Sequence, residues 1–233
     1  MRFDPPLIRG TLIKREKRFL AHVALPDGSA VIAHCPNTGS MKTCAEPGWT
    51  VAISPSTNPK RKLAWTLELV EPETGPILVN TARPNRIVLE ALNGGSIGEL
   101  EGYTQVRPEV RYGENSRIDL LCTHPDRPDC YVEIKNVTML AESATAAFPD
   151  SVSKRASKHM RELTEMVHQG HRAVVFFLVS REGIERMRPA DEIDPTYGEA
   201  LRTAVDAGVE VLAYRLNFDE DTLSVGHRVP VRL

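Results

Sequence analysis

The feature that most constrains the fold is a change of pattern near residue 80, where short β-type runs give way to alternating strands and helices. Before that point, five strand-like runs occupy residues 7–14, 19–25, 30–34, 49–54 and 63–70, without a credible helix among them. Pro26-Asp27-Gly28 is a hairpin turn signal, and the longer loops are rich in Pro, Gly, Ser and Asn. Five short strands of this kind predict a small β-barrel of the OB type over residues 1–80.

The remainder of the chain, residues 81–233, predicts a second domain of α/β type. Strand-like runs at 106–112, 116–122, 129–136, 173–179 and 209–216 alternate with helical patterns at 86–92, 151–168 and 195–207. We expect Asn85 to cap the first helix and Gly94-Gly95 to end it. The continuously apolar residues 173–179 predict a buried central strand. Strand–helix alternation is typical of a layered α/β domain.

Composition narrows the class of protein. With 41% hydrophobic and 26% charged residues, the chain has the balance of an ordinary soluble globular protein. It contains no apolar run of about eighteen residues, and its start lacks the apolar core of a secretion signal, so we expect a cytoplasmic protein without a membrane span. The four cysteines form no Cys-x-x-Cys pair and are expected to be free thiols. His34, Cys35 and Cys44 match no standard zinc spacing.

Charge is distributed unevenly along the chain. Residues 1–80 hold ten Lys/Arg and seven Asp/Glu, whereas the remainder holds nineteen and twenty-four. The overall net charge of −2 argues against a strongly basic nucleic-acid binder. The acidic second part, however, is compatible with carboxylates that collect a cation.

The strongest chemical signal lies between residues 117 and 135. Glu133 and Lys135 alternate on one predicted strand and therefore point the same way. Asp119, on the preceding predicted strand, can lie beside Glu133 across a hairpin. Two carboxylates and the backbone carbonyl of Ile134 make a hard oxygen site for Mg²⁺ or Mn²⁺, and Lys135 can act on water or on phosphate charge. The alternative is a Glu–Lys pair on a solvated edge strand with an unrelated Asp.

A further carboxylate could complete this metal shell. We favour Glu90, on the short helix, over Glu109, although an exposed ion pair with Arg86 also explains Glu90. On the long helix, Arg155 and Lys158 are the preferred phosphate contacts. Its polar side also carries His159, which as a lone helix histidine is usually neither catalytic nor a ligand.

The first part of the chain has two dense basic clusters near aromatic residues. The clusters are Lys14, Arg15, Lys17 and Arg18, and Lys60, Arg61 and Lys62. Basic loops beside Phe19, Trp49 and Trp65 on a small barrel would form a single-strand binding surface. Core packing of both tryptophans is an equally good explanation of the aromatic residues.

Several motifs together identify a resemblance that spans nearly the whole chain. They are His34-Cys35-Pro36-Asn37-Thr38-Gly39-Ser40-Met41, Asn58-Pro59-Lys60-Arg61-Lys62, Val79-Asn80-Thr81, Ser116-Arg117-Ile118-Asp119, Val132-Glu133-Ile134-Lys135-Asn136-Val137-Thr138 and Phe148-Pro149-Asp150. They closely resemble the sugar fermentation stimulation protein family of bacteria and archaea. The resemblance implies an OB-type barrel followed by a PD-(D/E)xK nuclease-like α/β domain with a mixed central sheet. Asp119, Glu133 and Lys135 match the motif, but Ile118 replaces its proline.

The resemblance also carries expectations of function. It implies DNA binding without marked sequence preference and a regulatory role in maltose metabolism. Two hypotheses therefore stand: a Mg²⁺-dependent nuclease, and a non-catalytic DNA-binding regulator that uses a nuclease fold as a scaffold. A carbohydrate-binding regulator is a weaker third, because no sugar platform is visible. RNA as a partner and a homodimer are left open.

Overall fold

The first part of the chain closes into a five-stranded barrel in the computed structural model, which describes residues 1–233. Its strands are β1 (Ile8–Glu16), β2 (Leu20–Ala24), β3 (Ala30–His34), β4 (Thr50–Pro55) and β5 (Trp65–Glu71). They pair in the closed order β1-β2-β3-β5-β4-β1, and only the β3–β5 pairing is parallel. A short strand β6 (Ile77–Leu78) extends from β5 towards the second unit. The OB-type prediction is therefore confirmed.

Apolar side chains on the inner face of the strands form the core of the barrel and stabilise it. Thirteen buried residues, including Leu12, Val23, Ile53 and Leu67, form this core. At Gly10 the strands β1 and β2 approach so closely that a Cβ atom would lie 2.6 Å from the Ala24 carbonyl oxygen. A side chain here would push the two strands apart, which explains why the crossing is made at a glycine.

The second unit is a mixed six-stranded sheet covered on both faces. Its strands run in the order β15-β14-β12-β9-β8-β7. They are β7 (Gln105–Tyr112), β8 (Ser116–His124), β9 (Arg127–Val137), β12 (Arg172–Val179), β14 (Glu210–Asp219) and β15 (Thr222–Arg228). The strands β9, β12 and β14 are parallel to one another, and the outer pairings are antiparallel. This confirms the predicted α/β domain with a mixed central sheet.

Three helices cover this sheet. Helix α1 (Pro84–Asn93) packs on the face that also meets the barrel, while α2 (Lys154–His168) and α3 (Pro195–Asp206) cover the other face. A separate three-stranded sheet is built from β10 (Met139–Glu142), β11 (Thr145–Phe148) and β13 (Arg186–Pro189). None of the helices combines the length and apolarity that a membrane crossing demands.

Some local predictions were wrong. Asn85 does not cap α1, because the helix begins one residue earlier at Pro84 and Arg83 occupies the cap position without a side-chain cap. Proline in the first helical turn needs no partner for an amide hydrogen, so the helix can begin at Pro84, before Asn85. The sequence also gave no prediction for β6, β10, β11, β13 and β15. Strands β6, β10, β11 and β13 have only two to four residues, too few to show alternation, and a proline ends β13. Strand β15 has seven residues, but only Leu223 and Val225 alternate before Gly226 interrupts the pattern.

The two units are joined through buried contacts. Met1, Phe3 and Leu7 pack into the core that the barrel shares with the second unit, and Phe3 donates its amide to the Asp221 carbonyl. Glu68, on β5, is fully buried and accepts hydrogen bonds from Ser54, Asn80 and Arg83. Arg83 precedes α1, so this carboxylate ties the barrel to the first helix of the second unit.

We expect Glu68→Gln to destabilise the protein by about 2–4 kcal/mol, because the amide nitrogen would face hydrogen-bond donors and Arg83 would lose its counter-charge. Urea unfolding followed by tryptophan fluorescence measures the loss. Glu71→Gln is the matched control, since this residue lies on the same strand and pairs with the exposed Arg9. A control loss as large as that of Glu68→Gln would contradict a special role for the buried carboxylate.

Candidate functional site

Asp119 and Glu133 lie on the neighbouring strands β8 and β9. The ladder between these strands ends at the pair Leu120 and Val132, and the next residue on each strand is one of the two carboxylates. Beyond that pair, Asp119 Oδ2 accepts a hydrogen bond from the Ile134 amide at 2.7 Å. Its Oδ1 accepts from the Asn85 side chain at 2.8 Å, which anchors the carboxylate to α1. Asp119 is thus fixed at both oxygens beside the end of the β8–β9 ladder.

Glu133 is held on the other side by a lysine and a histidine. Lys135 Nζ donates to Glu133 Oε1 at 2.6 Å, and His159 Nδ1, from α2, contacts the same oxygen. Arg155 donates to His159 Nε2 at 3.3 Å, which leaves Nδ1 as the nitrogen that carries the proton towards Glu133. The side chains of Glu133, Lys135 and His159 are all buried. The side chains of residues 133 and 135 thus lie on the same face of β9, as the alternation of strand residues predicts.

The two carboxylates differ in their electrostatics. Burial, followed by the charge of Glu133, raises the pKa of Asp119 to about 6. Burial also acts to raise the pKa of Glu133, but the hydrogen bond from His159 and the charge of Lys135 outweigh it and hold that pKa below its usual value. Because the ionised pair repels itself in a buried setting, a cation between the carboxylates would relieve the repulsion.

Asp119, Glu133, Lys135 and His159 together form what we call the acidic cluster, and one polar atom in it has no partner. Glu133 Oε2 is buried and makes no hydrogen bond. A buried carboxylate oxygen without a partner is costly, and a divalent cation would satisfy it. No group of three or more His, Cys, Asp and Glu side chains is arranged as a metal site. The two carboxylates offer only oxygen donors, which are the ligands that hard divalent cations prefer.

Glu90 does not join this cluster. Its carboxylate pairs with the N-terminal ammonium of Met1 at 2.7 Å and with Arg86 at 2.8 Å. The residue of α1 that reaches Asp119 is Asn85, five positions earlier and so on a different side of the helix. The prediction of Glu90 as a metal ligand is corrected accordingly. The competing candidate, Glu109, is exposed on β7.

Two basic residues of α2 lie beside the acidic cluster. Arg155 is exposed and reaches the buried cluster only through His159. Lys158 donates to the Glu114 carbonyl at 2.7 Å and pairs with Glu162. The helix places both residues on the side of the sheet that carries Glu133, but Lys158 is already engaged by the protein.

The basic residues of the barrel flank one end of it. Lys17 and Arg18 form the β1–β2 turn, and Lys60 and Lys62 are exposed on the β4–β5 loop. The turn and the loop lie near each other, because His34 on β3 pairs with Leu20 next to the turn and with Thr66 next to the loop. Phe19 is 44% exposed there. Lys14 is also exposed, although it pairs with Glu16, and Arg61 donates to Thr66.

Arg15 and the two tryptophans make contacts within the barrel and do not form a free binding surface. The Arg15 guanidinium donates to the carbonyls of Asn37, Gly39 and Ser40, so it fixes the loop that follows β3. Trp49 and Trp65 are partly buried against the barrel core. The exposed part of the proposed strand-binding surface is therefore made of the other basic residues and Phe19.

Comparisons with known proteins agree with the fold and the resemblance. The model described as "SfsA N-terminal OB domain" matches residues 13–79, and the "Sugar fermentation stimulation protein RE domain" matches residues 82–222. A sugar fermentation stimulation protein homolog of Geobacter sulfurreducens is 54% identical over 97% of this chain and 96% of its own. A second, of Pelobacter propionicus, is 52% identical over 98% and 99%. The solved structure of Pyrococcus furiosus SfsA in complex with Ca²⁺ matches with a TM-score of 0.90 and 26% identity, over 100% of this chain and 98% of that one.

Proposed function

The chain belongs to the sugar fermentation stimulation protein family, and from its acidic cluster we propose that it binds DNA and hydrolyses phosphodiester bonds with Mg²⁺ or Mn²⁺. The observation that carries the proposal is the buried pair of Asp119 and Glu133, with one carboxylate oxygen unpartnered and an ammonium at 2.6 Å from the other. The Ca²⁺ complex of the Pyrococcus furiosus relative supports a divalent cation in this family.

The residues around the carboxylates would have different roles in such a reaction. When bound, the cation would supply Lewis acidity and lower the pKa of a bound water. Asn85 orients the carboxylate of Asp119, and His159 orients that of Glu133. Lys135, buried against Glu133, brings a positive charge to the place where phosphate charge develops in the transition state. Glu133, Lys135 and His159 are thus pre-positioned, which is the main requirement for electrostatic catalysis.

A second candidate is a DNA-binding regulator without catalysis. The observation that favours it is that Lys135 is already engaged, because its Nζ donates to Glu133 Oε1 at 2.6 Å. Such a network could act as structure alone. The two candidates are separated by incubating labelled single-stranded, duplex and branched DNA, and RNA, with Mg²⁺ or Mn²⁺. Cleavage of any of them supports the enzyme. No cleavage, together with no bound metal at millimolar concentration, leaves the regulator.

We expect DNA binding to weaken steeply with salt, because exposed Lys and Arg side chains would contact phosphates. Reversing the charge of Lys60 and Lys62 together should lower the salt slope by about two and weaken binding to unrelated sequences by similar factors. Fluorescence anisotropy across a salt series measures both effects.

The control is the equal charge reversal of Arg107 and Arg111, which are exposed on the edge strand β7 of the other unit. It changes the net charge by the same amount and should leave the slope nearly unchanged. Affinity that stays flat between low and moderate salt would contradict the electrostatic account.

A further inference from the structure

A cleft of about 340 Å³ separates the barrel from the second unit beside the acidic cluster. Two of its lining residues, Asn85 and Lys135, are those that contact Asp119 and Glu133. The barrel contributes residues 37–39 of the loop after β3, and the second unit contributes the end of β9 and the segment before α2. The cleft therefore lies between the barrel and the side chains that hold the two carboxylates.

The barrel wall of the cleft is fixed in place by Asp150, which lies on the second unit. Asp150 Oδ2 accepts from the Met41 amide at 3.1 Å, and its carbonyl accepts from Ser40 Oγ at 2.7 Å. Gly39 fits against this carboxylate so closely that a Cβ atom would lie 2.5 Å from Oδ2. Arg15 holds the same loop from behind through three carbonyls. The wall is thus part of a built site and not a loose surface loop.

The lining of the cleft is neutral and mixed in polarity. Its only charged side chains are Lys135 and Asp150, and its polar groups are mainly amides and hydroxyls. Met139, Ala147 and Phe148 add an apolar side. Asn136 Oδ1 is buried and has no hydrogen-bond partner, although its Nδ2 donates to the Leu78 carbonyl. A phosphate would need a basic lining, whereas a flat heterocycle with N–H donors matches amides, hydroxyls and an apolar surface.

We propose that this cleft receives one unpaired nucleotide of a nucleic-acid strand, with its base among Asn136, Phe148 and residues 37–39 and its backbone near Lys135. The inference rests on the proposed function and gives it a substrate class: single-stranded or locally unpaired nucleic acid. An intact duplex keeps its bases stacked and paired, so it cannot place one in a nucleotide-sized cleft without extruding it. The barrel then acts as a wall of the reaction site as well as a separate binding module.

The test uses three labelled probes of one sequence: a single strand, its blunt duplex, and the duplex with an unpaired bulge. Their affinities are measured by anisotropy with EDTA present, so that no probe is cut. Thr38 and Thr81 are exposed residues that line the cleft, and Thr38→Trp and Thr81→Trp would fill it. Thr203→Trp, on the exposed side of α3, is the control for adding a tryptophan.

We expect the wild-type protein to prefer the single strand and the bulged probe over the blunt duplex. Each cleft variant should lose about tenfold in affinity for those two probes, the loss typical of one stacked base, while its affinity for the duplex and its melting temperature stay unchanged. Thr203→Trp should bind all three probes as the wild type does. Equal wild-type affinity for single strand and duplex, or no loss in either folded cleft variant, overturns the inference alone. Failure to bind any of the probes overturns the proposed function itself.

Discussion

Lys135→Ala is expected to lower the rate of phosphodiester cleavage by about a thousandfold while leaving metal and DNA binding nearly intact. Removal of one pre-positioned electrostatic group from a buried site typically costs a factor of about 10²–10³ in rate. The lysine contacts Glu133 through its ammonium and is not among the oxygen ligands, so the two carboxylates keep their donor set. Single-turnover cleavage with saturating Mn²⁺ measures the chemical step.

Lys154→Ala is the matched control, because Lys154 is an exposed lysine at the start of α2. It should cleave at the wild-type rate. If Lys135→Ala cleaved as fast as this control, Lys135 would have no role in the chemistry. If it lost metal binding as well, its role would be structural.

The second large effect is expected for Asp119→Asn, which should abolish divalent-metal binding and yet stabilise the metal-free protein. The new amide keeps its oxygen on the Ile134 amide, and the Asn85 side chain can rotate to accept from the new NH2 group, so no donor is left facing a donor. The raised pKa of Asp119, about 6, means that the ionised form is unfavourable in the folded state. An increase of this size from the ordinary value of an aspartate corresponds to up to about 3 kcal/mol at neutral pH. In a chain of this length, that is about 6–12 °C in melting temperature. Calorimetry with EDTA present measures it.

The size of this effect depends on pH in a defined way. Below the unfolded-state pKa of Asp119, its carboxyl is protonated in both states and contributes nothing. Between that pKa and about 6, the unfolded state has released the proton while the folded state still holds it, so the advantage of Asp119→Asn grows across this window and is complete above it. Glu133→Gln should behave oppositely, because the lowered pKa of Glu133 makes its ionised form stabilising. Equal signs for the two variants would contradict the electrostatic description of the pair.

The sequence predicted the backbone of the site because simple periodicities determine it. Glu133 and Lys135 share a face because strand residues alternate, and the register of β8 and β9 brings Asp119 to the same end of the ladder. The five barrel strands were predictable for the same reason. The observed boundaries of these strands differ from the predicted ones by at most two residues, because backbone pairing rather than hydropathy determines where a strand ends.

The supporting side chains were harder to predict because their partners lie far away in sequence. Asn85 was interpreted as a helix cap, but it reaches Asp119 from inside α1. His159 was placed on the polar side of α2, yet it follows the buried Ala156 by three positions and precedes Leu163 by four. That spacing belongs to the buried face and could have identified it. Arg15 was interpreted as a phosphate contact from its basic neighbours, and nothing local indicates that it binds the loop at residues 37–40.

The most direct test of the metal-dependent site is anomalous scattering from a crystal soaked in Mn²⁺. The account predicts a peak between the carboxylates of Asp119 and Glu133, within coordination distance of both, with Glu133 Oε2 as a ligand. The same soak of the Asp119→Asn variant should show no peak at this place. A wild-type crystal with no peak there at millimolar Mn²⁺, or with peaks only elsewhere on the protein, would contradict the account.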